Sequence, residues 1–215
     1  MHARVGPLAG DLQRIFATRL QSLVTYAQEQ GEEGGIHTLA LVDSLTFQDL
    51  AACVPLVPSW HRAGFAVPLV LTREEFRRTL DVFPVEYGNI IAHHTVILGR
   101  DPFAGMAVGE ADLRRACEAQ AKSHLIHLRE GFLESGGQAR TIARMIAASA
   151  PALRALLANI DALDPGAASD AGLTPELVGQ ISSAESTTIS EPSALLSRYV
   201  QAVERLWQHV DRWRA

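Results

Sequence analysis

Apolar positions come in short alternating or continuous runs over the first hundred residues, then settle into long helical stripes. Leu12, Ile15, Phe16 and Leu20 recur at helical spacing, which predicts an amphipathic helix over residues 11–21 with Asp11 at its start. Residues 22–27 are short and β-prone, residues 29–35 form a Gly- and Glu-rich turn, and residues 36–42 form an apolar strand ending at Asp43-Ser44. Residues 47–63 read as a helix that Pro55 and Pro58 must kink or break, with Gly64 to end it. A further strand covers residues 66–71, where Pro68 argues for an edge or a bulge. Thr72 with Glu75 three residues on is a capping box, so a helix starts there and runs to Val82, with Pro84 beyond it. Residues 94–98 are β-prone, and a turn follows over residues 99–103. The order after the first helix is strand, strand, helix, strand, helix, strand.

Beyond that point the period is helical throughout. Leu113, Cys117, Ala121, Leu125, Leu128 and Phe132 form one stripe over residues 113–133, closed by Gly136-Gly137. Residues 141–163 repeat the pattern, and Pro151 inside them predicts a kink or a fresh helix start near Ser149. Residues 164–173 read as a loop, Thr174-Pro175-Glu176 as a helix start, and residues 182–190 as a polar linker. The last helix covers residues 192–213, with Leu196, Tyr199, Val203, Leu206, Trp207 and Val210 on its stripe. The change of pattern near residue 108 predicts two domains: an α/β domain over residues 1–107 and a helical bundle over residues 108–215. The fold class is α+β, and no internal repeat is present.

Composition narrows the partners more than the fold. A chain of 215 residues with 47% hydrophobic and 20% charged content is long and apolar enough to bury a core. A net charge of −5 with a single lysine, Lys122, argues against generic nucleic-acid binding, which needs a basic face. Cys53 and Cys117 are far apart and outside any CxxC pair, so they read as buried thiols rather than zinc ligands. With no apolar run near the ~18 residues of a span and no leader-like start, the expectation is a cytoplasmic protein away from membranes.

The strand and helix order, together with four short segments, resembles the nucleotidyltransferase superfamily related to DNA polymerase beta. Val24-Thr25-Tyr26-Ala27 stands where that family has Gly-Ser-Tyr-Ala. Leu39-Ala40-Leu41-Val42 matches the tail of its second strand. Pro68-Leu69-Val70-Leu71-Thr72-Arg73-Glu74-Glu75-Phe76 matches its third strand and the Glu-rich helix after it, and Ile97-Leu98-Gly99-Arg100-Asp101-Pro102 matches a late strand and Asp-Pro turn. The resemblance covers about half the chain and implies a small mixed-sheet domain followed by a helical C-terminal part.

It also implies where the chemistry would stand. Two-metal transfer uses two aspartates at alternate positions of the second strand, which share a face, and a third on the next strand. The residues here are Ile36, Thr38 and Val67, and the Gly-Ser positions are Val24 and Thr25. No Asp-x-Asp occurs in the first hundred residues. The expectation is therefore a non-catalytic nucleotidyltransferase-like protein that binds a nucleotide or a protein partner in an interdomain cleft, without a cofactor. The alternatives are a divergent enzyme using displaced carboxylates, with Asp43 and Asp49 as candidates and magnesium as cofactor, or a homodimeric scaffold joined through the Trp207 face. His124, His127 and Glu130, each one turn from the next, are a candidate metal ladder, against the plainer reading of a polar flank. Arg205 and His209, one turn apart, resemble the Arg and His of helical ribonuclease domains, one residue short of their usual spacing.

Overall fold

The structure, a computed structural model, describes residues 2–26, 35–184 and 191–213 and divides into two compact units, Met1–Gly109 and Glu110–Ala215. Most of the Gly- and Glu-rich turn and of the polar linker lies outside the described residues.

The first unit runs α1 (His2–Phe16), β1 (Leu20–Tyr26), β2 (His37–Val42), α2 (Phe47–Cys53), α3 (Val57–Arg62), β3 (Leu69–Thr72), α4 (Arg73–Arg78), α5 (Pro84–Ala92) and β4 (His94–Gly99). The sheet order is β3-β2-β1-β4. β1 is antiparallel to both neighbours, while β2 and β3 are parallel. Alternate residues of β1 and β2 enter two different cores. Leu23, Ala40 and Val42 join Leu8, Leu12, Phe16, Trp60 and Phe65 on one face. Val24, Leu39 and Leu41 join Phe76, Tyr87, Ile90 and Phe103 on the other. A sheet covered on both faces demands continuous apolar strands, which is why β2 reads as an unbroken run rather than as an alternation.

Proline explains where the elements depart from the simple periodic reading. The helix expected over residues 47–63 is broken at Pro55 into α2, a 3-10 turn (Val54–Leu56) and α3. Pro58 is accommodated in the first turn of α3, where its missing N–H costs nothing. The capping box at Thr72 and Glu75 forms, with the Thr72 hydroxyl accepting from the Glu75 amide at 3.1 Å, but its helix ends at Arg78. Pro84 then opens α5, a helix where the sequence pattern places only the end of the preceding one. Gly35, at the entry to β2, has φ +77, and a Cβ there would lie 2.7 Å from the Gly64 carbonyl oxygen. Glycine permits this close passage of the chain beside Gly64 and so sets the start of β2.

The second unit contains α6 (Glu110–Glu134), α7 (Ala139–Leu163), α8 (Ala167–Asp170), α9 (Pro175–Ser182) and α10 (Pro192–Asp211). Its core is built from Leu125, Leu128, Ile142, Ile146, Leu153, Leu156, Ile160, Val203 and Leu206. α7 runs unbroken through Pro151, so the predicted break near Ser149 does not occur. Ile146, Ala150 and Leu153 keep one buried stripe on both sides of the proline, and packing holds the axis. The Ser149 hydroxyl, donating to the Ile146 carbonyl at 2.7 Å, satisfies part of the loosened turn. By length and composition α7 would reach across a membrane, but its apolar stripe closes this core. Both cysteines are free and buried, and burial pushes the Cys117 thiol up to about 11.

Candidate functional site

The end of the sheet where β1 finishes and β2 begins carries the residues that the resemblance singles out. Thr25 lies directly opposite Thr38, and Tyr26 opposite His37. Ile36 precedes them in a single parallel bridge to Phe65 and is packed against the Leu8–Phe16–Trp60 core. Thr38 is 1% exposed, and its hydroxyl has no hydrogen-bond partner among the described residues. Val67 lies on the approach to β3 and is 59% exposed. Val24 is buried in the opposite core.

This donor set does not fit magnesium. Mg²⁺ is held by carboxylate and other oxygen ligands at roughly 2.0–2.1 Å in near-octahedral order. Ile36 and Val67 offer none, and the only oxygen of the three side chains belongs to a hydroxyl closed off in a core. Among the described residues, no three His, Cys, Asp or Glu side chains are grouped to hold a metal ion.

The candidate replacement acids stand at the other end of β2. Asp43 follows the strand, five residues past Thr38, which at about 3.3 Å per residue is roughly 16 Å away. It accepts from the Gln21 side-chain amide at 2.7 Å. Asp49 is the third residue of α2 and completes a capping box with Thr46. Both its oxygens are also taken by Arg19, which donates from Nη1 at 2.9 Å and Nη2 at 2.7 Å. The Arg19 hydrogen bond, then that of Thr46, holds the Asp49 carboxyl well below the usual carboxylate range. Asp49 thus joins the β1 entry to the α2 start, and neither acid reaches the Ile36–Thr38 positions.

One arrangement at this sheet end escapes a reading of local sequence. Tyr26 is flanked across the strands by His37 on β2 and His94 on β4, so three rings stand in one row over β2, β1 and β4. The Tyr26 and His37 ring centres are 5.7 Å apart. Burial, then the neighbouring Tyr87, raises the Tyr26 phenol above its ordinary pKa. His94 is fixed by the Ile91 carbonyl at 3.0 Å, by Asp101 at 3.3 Å and by an edge contact to Phe103. The sequence signal was one aromatic or histidine at the end of each strand; the pairing register that aligns them is a long-range property.

In the second unit the metal ladder does not converge. His124 turns inward, its Nε2 2.5 Å from the Tyr199 hydroxyl, which also lies 3.1 Å from Ser149 Oγ. Burial, with His127 nearby, lowers the His124 pKa to about 4, so the ring is neutral at pH 7. His127 and Glu130 pair with each other at 3.3 Å on the exposed side. His209 is turned to Asp164 at 2.8 Å, and Arg205 donates from Nε to the Ala171 carbonyl at 2.8 Å, so these two side chains serve different partners. The Trp207 ring, expected as a dimer seam, is half-buried and covered by the Lys122 ammonium at 3.4 Å from its centre.

No family model matches the chain, and no curated protein matches it in sequence. Among solved structures it is similar to the spectinomycin adenyltransferase AAD(9) from Enterococcus faecialis, determined with ATP and spectinomycin. The TM-score is 0.52 at 10% identity, over 99% of this chain and 100% of that one. Small mixed sheet, strand order and helical C-terminal region together identify an α+β nucleotidyltransferase-like fold.

Proposed function

We propose that this chain is a nucleotidyltransferase-like protein that binds a nucleotide but does not carry out two-metal nucleotidyl transfer. The observation that carries the reading is Thr38. At the second acidic position of the resembled motif stands a hydroxyl that is 1% exposed, with Ile36 packed in the same core. An ionised carboxylate in that place would be buried away from any ion. The structural neighbour was determined with ATP, and its fold spans this whole chain. At the Thr38 end of the sheet, the half-buried rings of Tyr26 and His37 offer the base an aromatic face.

The test is equilibrium binding of ATP to the full chain by calorimetry, with magnesium and with chelator. The reading expects saturable binding that the chelator leaves unchanged. It expects Tyr26→Ala to weaken binding about tenfold, the scale of one lost stacking contact. Absence of ATP binding, or binding that needs magnesium, would overturn it.

A further inference from the structure

A cleft in the helical unit, remote in sequence from the Tyr26–His37 site, brings together two arginines that form no ion pair among the described residues, with one glutamate, Glu176, also on its lining. Its volume is about 190 Å³, and Arg198, Gln201 and Arg205 of α10 line it together with Thr174, Glu176 and Gln180 from the start and body of α9. Arg198 and Arg205 are seven residues apart, two turns, so both stand on one face of α10 with Gln201 between them.

Each guanidinium is held in place by a neutral acceptor. Arg205 donates from Nε to the Ala171 carbonyl at 2.8 Å. Arg198 donates from Nη2 to the Gln180 side-chain oxygen at 2.7 Å. Neither lies within ion-pair distance of a carboxylate among the described residues, Glu176 included, whereas Arg19, Arg77, Arg114, Arg115 and Arg129 all do. The remaining N–H groups of both forks are left for a ligand. Gly172, with φ +90, makes room for this. A Cβ at that position would lie 2.6 Å from Arg205 Nη2, so any larger residue would push the guanidinium out of its place.

We propose that this cleft is a binding site for a small molecule carrying two anionic groups, phosphate or carboxylate, each met by one arginine fork. Guanidinium groups fixed before binding suit bidentate recognition of such oxygens, because little side-chain freedom is lost when the ligand arrives. Gln201 lies between them, its side-chain amide donating to the Ser197 hydroxyl at 3.2 Å and keeping a second N–H.

The test is calorimetric titration of the full chain with inorganic pyrophosphate and, separately, with succinate, using acetate as a one-charge control. Binding of either dianion, with acetate at least tenfold weaker, is expected, and the stronger of the two names the anionic group. Arg198→Ala and Arg205→Ala should each weaken that binding by roughly tenfold to a hundredfold, the range for a lost charge-assisted hydrogen bond. Gln201→Glu places a like charge on the exposed face of α10, does not disturb the core, and should abolish binding even where an arginine variant folds poorly. Absence of binding by both dianions, or binding that Gln201→Glu leaves unchanged, would overturn the proposal. ATP binding that needs Tyr26 is a separate result, since none of these substitutions touches the sheet.

Discussion

The two units bury hydroxyl groups in opposite ways. In the sheet unit, the Thr38 hydroxyl is closed into a core and left without a partner among the described residues. In the helical unit, the Tyr199 hydroxyl is buried between His124 and Ser149 and meets both. An unmet buried hydroxyl costs about 1–3 kcal/mol of desolvation, while a met one returns it. The sheet unit tolerates that cost at the position where the resembled family would need an acid, on the strand whose Ala40 and Val42 join the core of Trp60 and Phe65. The helical unit uses its polar cluster as structure, tying α6, α7 and α10 together. The two clusters thus differ in kind: one hydroxyl is closed off without a partner among the described residues, the other is met on both sides.

The contrast breaks most visibly if the acid is put back. Thr38→Asp is expected to destabilise the protein by roughly 3 kcal/mol or more, read as a lower urea midpoint, because a carboxylate would enter a core without an ion or donor. A variant as stable as the parent that gains magnesium binding would show the position to be an open site.

The helical cluster should reveal itself through pH. His124 has its pKa lowered to about 4 in the folded chain against 6.5 when exposed, so the unfolded chain binds more protons between those values. Its contribution is complete above pH 6.5 and is lost as pH falls towards 4. The loss is on the order of 3 kcal/mol across that window. Urea unfolding at stepped pH measures it, and His124→Gln should flatten this part of the profile. Asp49, held below the ordinary carboxylate range, acts in a lower window: its contribution is present above the unfolded carboxylate pKa and is lost as pH falls below it.

The smallest effects sharpen the comparison best. Tyr199→Phe leaves His124 and Ser149 facing a ring without a hydroxyl and should cost about 1–2 kcal/mol. Thr38→Val removes an orphan hydroxyl at nearly constant volume and should be neutral or stabilising by up to about 1 kcal/mol. A lowered midpoint for Tyr199→Phe and an unchanged or raised one for Thr38→Val is the expected thermal-denaturation result; a similar loss for both would remove the distinction between the units.

What the sequence made legible follows from which forces are local. The run Leu39–Val42, the Thr72–Glu75 capping box and the stripes of α6 and α10 depend on spacing and short-range hydrogen bonds, and they stand close to where the pattern places them. The frame of the fold was therefore readable from Leu39–Val42, the β3-to-α4 step and the Gly99–Pro102 turn. Proline is less legible, because its effect depends on context: Pro84 starts a helix and Pro151 is carried through one by packing. The site was readable only in part. Ile36, Thr38 and Val67 were picked out by alignment to a motif, but their burial was not legible, since Thr38 and Val67 differ from 1% to 59% exposure by tertiary packing alone. The Arg19 claim on Asp49 joins residues 30 apart, and the Arg198–Arg205 cleft needs α9 folded against α10. No local pattern encodes either.

Pyrophosphate release from each nucleoside triphosphate, with magnesium and with chelator, tests the central claim most directly. With Ile36, Thr38 and Val67 at the acidic positions, release at the level of a protein-free control is predicted for every nucleotide. Magnesium-dependent turnover that persists through purification and disappears with chelator would contradict the account.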